Sequence, residues 1–209
     1  MKILFVTATN TNVGKTYTTI KLIESFNKQG ILVGVCKPIE TGVLTEPLDA
    51  KYLLETVQKH NPNFSNLKPK DITAYTFELP AAPFCADTKE TINIRKIKEK
   101  IIELQQLCDL LIVEGVGGLM VPITKTYKMI DLAKDLECKT LLVTSSKLGC
   151  INDTELSIEA LKSREIPFDW CVNLFEDRDS FEKVTKPYYD AVFDGWWYLE
   201  SGLKRFTHL

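Results

Sequence analysis

Histidine is almost absent from this chain: only His60 and His208 occur in 209 residues, both in polar stretches. That excludes a zinc centre built on imidazoles and a histidine-based catalytic triad. Proton handling falls to lysines, carboxylates, water or a substrate's own groups. An excess of one charge is also missing. Lys and Arg number 26 against 28 Asp and Glu, so the net charge is −2, and nothing draws the chain to nucleic acid or to a membrane. Long apolar runs are lacking. Stretches such as 110–113 fall far short of the ~20 residues that span a bilayer. The four apolar residues after Met1-Lys2 are too few for a signal-peptide core. Cys36, Cys85, Cys108, Cys138, Cys150 and Cys171 include no C-x-x-C pair. They read as reduced, mostly structural thiols of a cytoplasmic protein. No repeat, low-complexity tract or linker interrupts the chain.

What remains is ordinary globular composition, 44% hydrophobic, at a length that builds one core. The expectation is a single domain over 1–209. Short apolar runs predict strands at 3–7, 31–36, 110–114, 140–144 and 170–174. Helical patterns fall between them at 16–27, 92–107, 130–136 and 152–163. This alternation predicts an α/β fold: a doubly wound, mostly parallel sheet with helices on both faces. Ligands then bind outside the carboxyl ends of the strands, where every notable polar residue lies. Residues 60–91 carry Pro62, Pro69, Pro80 and Pro83 and read as a long connection with a short strand near 75–77. The charge run 95–100 reads as the solvated face of a helix.

Residues 8–16, Ala-Thr-Asn-Thr-Asn-Val-Gly-Lys-Thr, follow the first apolar strand and lead into a helix. This is the layout of a phosphate-binding loop. Backbone N–H groups at the helix start face phosphate oxygens, Lys15 reaches the β- and γ-phosphates, and Thr16 serves Mg²⁺. The usual first glycine is replaced by Thr9. After the second strand, Lys37 stands at a strand end stiffened by Pro38, either presenting an ammonium to an anion or serving as a surface lysine. The run 110–118 delivers Glu114 from a buried strand, as the acid of a Mg²⁺-ATP site would be delivered, followed by Gly115, Val116, Gly117 and Gly118. In 146–154, Asn152 or Asp153 is placed to cap a helix, and the same helix N–H groups suit a carboxylate. Asn173 follows a strand, as a turn asparagine or as an amide that reads a base.

Taken together, T-x-T-x-V-G-K-T at 9–16, K-P-I-x-T-G at 37–42, Y-T-F-x-x-P at 75–80, V-E-G-V-G-G at 113–118, K-L-G-C-I-N at 147–152 and Asn173 resemble the dethiobiotin synthetase family. The ordered matches run from residue 1 to about 175. The resemblance implies a P-loop fold, a homodimer with shared active sites, and one reaction. In it 7,8-diaminononanoate, CO₂ and Mg-ATP give dethiobiotin, ADP and phosphate through a carbamate and its phosphoric anhydride. It further implies that Lys37, Lys15 and Thr11 are catalytic. Asn12, Val13, Gly14, Lys15, Thr16, Tyr17, Asp49, Glu114, Gly115, Val116, Gly117 and Asn173 would hold the nucleotide. Lys37, Thr41, Gly118, Cys150, Ile151 and Asn152 would hold the diamine, with the helix start at 150–152 supplied by the opposite subunit. Leu119, Met120 and Val121 would line the path of its apolar chain. Thr16, Asp49 and Glu114 would hold Mg²⁺.

Some positions depart from the family pattern. Asn12 replaces a common acid, Ala8 a common glycine and Thr41 a common serine. The family's C-terminal G-x-[IL]-P base-holding segment is missing. Residues 191–199 read instead as a closing strand, whose Trp196 and Trp197 either stack on a base or pack at the edge. Two rivals are a partition-type ATPase switch and a non-catalytic nucleotide-binding subunit. Against the first, positions 8–12 lack the early lysine such switches carry. Against the second stands the trio Lys15, Lys37 and Glu114.

Overall fold

The computed structural model describes residues 2–203. The first half runs β1 (Lys2–Ala8), α1 (Lys15–Asn27), β2 (Val33–Cys36), β3 (Ile39–Thr41), α2 (Leu48–Gln58), β4 (Tyr75–Phe77), α3 (Pro83–Ala86), α4 (Ile94–Gln105) and β5 (Leu110–Gly118). The second half runs α5 (Met129–Asp135), β6 (Lys139–Ser145), α6 (Cys150–Ser163), β7 (Phe168–Asn173), α7 (Arg178–Ser180), α8 (Lys186–Val192), β8 (Trp197–Tyr198) and α9 (Leu199–Gly202). Six strands pair in the order β2-β5-β1-β6-β7-β8, every neighbouring pair parallel. Helices cover both sides, which is why β1, β2 and β6 are buried along nearly their whole length. β1 enters the sheet at its centre. Its successor β2 lies on one flank and β6 on the other, so the carboxyl end of β1 is the switch point at which such sheets bind ligands.

The expected strands and helices are present within two residues at most ends, apart from the longer C-terminus of β5. Helix α4 starts at Ile94 rather than 92 because the Asn93 side chain accepts the Arg95 N–H and caps it. Two elements went unread. Pro47 and an acidic residue mark the start of α2, yet 48–58 carries apolar residues at helical spacing and buries Ala50, Leu53, Leu54 and Val57. Strand β3 is only three residues long. It pairs with β4 as a small second sheet, the part of the 60–91 connection predicted at 75–77.

The closing strand expected over 191–199 is corrected. Residues up to Val192 belong to α8, and only Trp197–Tyr198 join the sheet, after a turn at Gly195 with φ of +78°. The reason is aromatic packing. Trp196 stacks on Trp170 at 6.2 Å and meets Phe181, Tyr189 and Tyr198 edge-on, so this segment closes a cluster rather than extending a strand. Among the described residues no helix is long and apolar enough to cross a membrane.

The long connection is anchored by one buried amide. Asn61 is fully buried and donates through Nδ2 to the carbonyls of Val33 at 2.9 Å and Leu107 at 3.1 Å, while its Oδ1 accepts the Asn63 N–H. This satisfies a polar group that would be costly unpaired. It also fixes the connection to β2, where packing is tight. A Cβ on Gly34 would fall 2.7 Å from Cys108 Sγ and 2.8 Å from Phe64 Cζ. Gly34→Ala is therefore expected to destabilise the protein by about 1–3 kcal/mol through overpacking. The check is a lower urea midpoint at unchanged slope, with partial recovery when Cys108→Ala is added.

Candidate functional site

The loop after β1 is shaped by backbone conformations that few residues adopt. Thr9 N–H donates to Val143 O, keeping the loop's start on β6. Asn12 has φ of +58° and Gly14 φ of +95°, in the left-handed region. Gly14 is the N-cap of α1, and its carbonyl accepts the Thr18 N–H and hydroxyl. A Cβ at Gly14 would lie 2.1 Å from Asn173 Nδ2, which donates to Val13 O at 3.0 Å. The end of β7 thus clamps the loop from behind. The result is a concave row of backbone groups at a helix N-terminus, a ready site for phosphate. Lys15 arches over it, donating to Asn10 O at 3.0 Å.

Strand register supplies the second half of the site. Cys36 pairs with Val113, so the next residue on each strand, Lys37 and Glu114, stand side by side. Lys37 Nζ is 2.7 Å from Glu114 Oε1 and 3.1 Å from Asp49 Oδ2. Thr16 donates to Glu114 Oε1 at 2.9 Å and Thr19 to Oε2 at 2.6 Å. The lysine and the glutamate are 2% and 0% exposed, whereas Asp49 is 45% exposed. Burial by itself lowers the Lys37 pKa, but the two carboxylates outweigh it and hold the ammonium above its ordinary range. Lys15 behaves in the opposite way. Burial, and then the charge of Lys37, bring it down to about 8. Beyond Glu114 the strand buckles: Val6 pairs with Glu114 and Ala8 with Gly118, a β-bulge. The bulge brings Gly118 against the phosphate loop, where a Cβ would meet Thr9 O at 2.9 Å.

These elements enclose an open cavity of about 630 Å³. Thr11, Asn12, Gly14, Lys15, Thr16 and Tyr17 line it from the phosphate loop. Lys37, Glu40, Thr41 and Asp49 line it from the β2–α2 segment, Val116, Gly117 and Val121 from the end of β5 and the turn after it, and Pro80, Ala81 and Ala82 from the long connection.

An AAA-domain family profile matches residues 2–171. A relative from Sulfurovum sp. (strain NBC37-1), named ATP-dependent dethiobiotin synthetase BioD, is 61% identical over 207 residues, 99% of this chain and 99% of its own. This chain belongs to the dethiobiotin synthetase family. A relative of the same name from Wolinella succinogenes is 40% identical over 210 residues, covering 99% and 97% of the two chains. Solved structures show the fold more widely. A plasmid partition protein from Borrelia burgdorferi aligns with a TM-score of 0.60 at 10% identity over 98% of this chain and 97% of that one. MinD, a cell division protein of Aquifex aeolicus, aligns at 0.52 with 19% identity over 99% and 86%. At such identities the likeness is of fold, and it does not revive the partition-type switch.

For a dethiobiotin synthetase, the motif residues divide into three groups. Thr11, Asn12, Gly14, Lys15, Thr16, Tyr17, Lys37, Thr41, Asp49, Val116 and Gly117 share the cavity. Val13, Glu114, Gly115, Gly118 and Asn173 stand behind it: Val13 and Gly118 are buried, Glu114 is fully so, and Asn173 is only 5% exposed with its amide nitrogen spent on Val13 O. Of the proposed apolar path, Val121 lines the cavity, Met120 is exposed and Leu119 is buried. Cys150, Ile151 and Asn152 lie apart, at the start of α6. The helix cap expected from Asn152 or Asp153 is corrected: Gly149, with φ of +94°, is the N-cap, and both side chains are already inside the first turn. Trp196 and Trp197 do not line the cavity. His60 follows α2 in an exposed turn, and His208 lies outside the described residues.

Glu40, Thr19, Ala81 and Ala82 are site residues that motif reading passed over. Thr19 had a signal, since it stands one helical turn after Lys15. The depressed Lys15 pKa has a direct consequence. The ligand-free lysine loses its proton as the pH rises through about 8, and a bound triphosphate favours its charged form. ATP binding at pH 8.5 is therefore expected to take up a fraction of a proton, and at pH 6.5 almost none. Calorimetry in buffers of different ionisation enthalpy reads this uptake, which Lys15→Met abolishes.

Proposed function

We propose that this chain closes the ureido ring of dethiobiotin from 7,8-diaminononanoate, CO₂ and ATP. The observation that carries the reading is the 61% identity over the whole chain to a dethiobiotin synthetase. One amine of the diamine adds to CO₂ and gives up a proton, forming a carbamate. A carbamate oxygen attacks the γ-phosphorus, and ADP leaves. The second amine attacks the carbonyl of the resulting anhydride and expels phosphate. The steps create negative charge on carbamate oxygens and move it between oxygens, and two ammonium groups lining one cavity stabilise such charge. Lys15 serves the transferring phosphoryl group and Lys37 the carbamate. Thr11 and Thr41, which line the same cavity, offer hydroxyls to the diamine or carbamate. No histidine is required.

Thr16, Asp49 and Glu114 fit Mg²⁺. All three are oxygen donors, the kind a hard cation takes, and Thr16 Oγ1 touches Glu114 Oε1. Among the described residues no three His, Cys, Asp or Glu side chains gather, so a magnesium site here would draw on the Thr16 hydroxyl and on ATP itself beside the two carboxylates. Magnesium bound with ATP would shield the charge of the phosphate oxygens. The reading takes residues 1–209 as one catalytic unit working in the cytoplasm.

It also takes the enzyme as a homodimer. Leu44, Leu48, Leu79, Phe84 and Met120 are exposed apolar residues, each within three positions of a cavity-lining residue. Exposed apolar side chains that follow or precede cavity residues so closely support a partner surface beside the cavity. Leu148, 97% exposed beside the start of α6, suits the same interface, with Cys150, Ile151 and Asn152 completing the opposite subunit's cavity around the diamine's carboxylate.

Two tests follow. Phosphate release from ATP is expected only when diamine and bicarbonate are both present, with dethiobiotin seen by mass spectrometry; a switch protein would ignore both. The second uses mixed dimers. Lys37→Ala would strand the buried Glu114 charge and destabilise the fold by roughly 3–5 kcal/mol, so Lys37→Gln, which keeps an N–H for Glu114, is the better variant. It is expected to lose turnover by the equivalent of roughly 3–4 kcal/mol. Asn152→Asp is expected to raise KM for the diamine sharply and leave ATP binding unchanged. Mixing the two variants should restore one normal site per heterodimer, and heterodimers without activity would defeat the shared site.

A further inference from the structure

Glu40 is 7% exposed and lies on the cavity wall, yet the reaction gives it no part. Among the described residues it forms no ion pair. Each of its oxygens instead takes one backbone N–H from the first turn of α2: Oε1 from Asp49 and Oε2 from Ala50, both at 2.9 Å. These are N–H groups that a helix start leaves without partners. The residue before a helix usually supplies the acceptor, but here it is Pro47, which makes no side-chain cap. A carboxylate on another element does the work, with two charge-assisted bonds and a negative charge at the positive end of the helix.

The residue so gripped is Asp49, whose carboxylate faces Lys37 at 3.1 Å. Asp49 is half-exposed, and its only ion-pair partner among the described residues is Lys37. Its side-chain direction is therefore set largely by where its backbone is held. Glu40 lies three residues after Lys37, and that short segment is itself fixed from outside: Lys37 N–H donates to Ile72 O, and Ala74 and Tyr75 N–H to Pro38 O. One stretch of chain thus sets both halves of the Lys37–Asp49 contact. A proton-transfer role for Glu40 does not fit, because both oxygens are occupied by backbone donors.

We propose that Glu40 is a positioning residue: by clamping the Asp49 and Ala50 N–H groups it aims Asp49 at Lys37 on the wall of the cavity. The proposal rests on the reaction described above. Glu40→Gln keeps the shape but sets an NH₂ against one backbone donor. Its kcat is expected to fall roughly ten- to a hundredfold, the cost of a misplaced group. In an Asp49→Asn background the same change should alter the residual kcat less than twofold, because sites that act through one another are not additive. Glu40→Asp, shorter by one methylene, serves if the glutamine variant folds poorly.

Amide hydrogen exchange over 48–51 reads the clamp without catalysis and should speed up in Glu40→Gln. An equal loss of kcat in both backgrounds would make Glu40 a merely structural cap and overturn the proposal. So would wild-type turnover in Glu40→Gln, or unchanged exchange. A wild-type protein that ignored diamine and bicarbonate would defeat the reaction instead, and the exchange rates would still decide the clamp.

Discussion

A lysine ammonium held inside the protein by one carboxylate is the contact around which the site is arranged. Taking Lys37 and Glu114 out of water costs several kcal/mol per ion, and their attraction returns it only when the remaining lone pairs are also satisfied. Here they are: Thr16 and Thr19 donate to the two oxygens that Lys37 does not fill alone. Two packed apolar residues would serve stability as well, so the pair is explained by what it faces. The register of β2 on β5, the first turn of α1 and the start of α2 all converge on it.

The second lysine is pushed toward neutrality by its own burial first and by the charge of Lys37 second. The charge of Lys37 adds to the cost of charging Lys15, and of the two only Lys37 has carboxylates close enough to outweigh its burial. A triphosphate entering the cavity brings the negative charge that Lys15 lacks. Binding and charge state are thus coupled through one side chain, in a site with no imidazole to buffer it.

Much of this was legible in the sequence because it is local. The strand-loop-helix at 3–27 follows from an apolar run, a glycine and a lysine in order, and parallel strands read directly as short apolar runs. The cavity residues Lys15, Thr16 and Lys37 sit in motifs whose spacing survives without the fold, whereas Asp49 lies outside every motif and came from the family resemblance alone. What escaped depends on pairing across distance. β3 exists only because β4 pairs with it. Glu40 reads as a surface acid until α2, eight residues on, comes back to it. Asn173 looked like a turn asparagine or a base reader, and nothing near it in the chain names Val13 as its partner. At 191–199 the aromatic spacing suited a strand, and ring packing against Trp170 took the side chains elsewhere.

The contact between Gly14 and Asn173 reaches further than the loop it shapes. The two are 159 positions apart, yet the glycine has no room to grow while the asparagine stays as it is: it lacks the very atom whose place the amide occupies. Shortening position 173 would clear the space but not the strain, since the φ of +95° at position 14 is one that side chains rarely adopt. The last stretch of the sheet is therefore as much a part of the phosphate grip as the loop that bears the signature, and the grip cannot be grafted onto another scaffold by copying residues 8–16 alone.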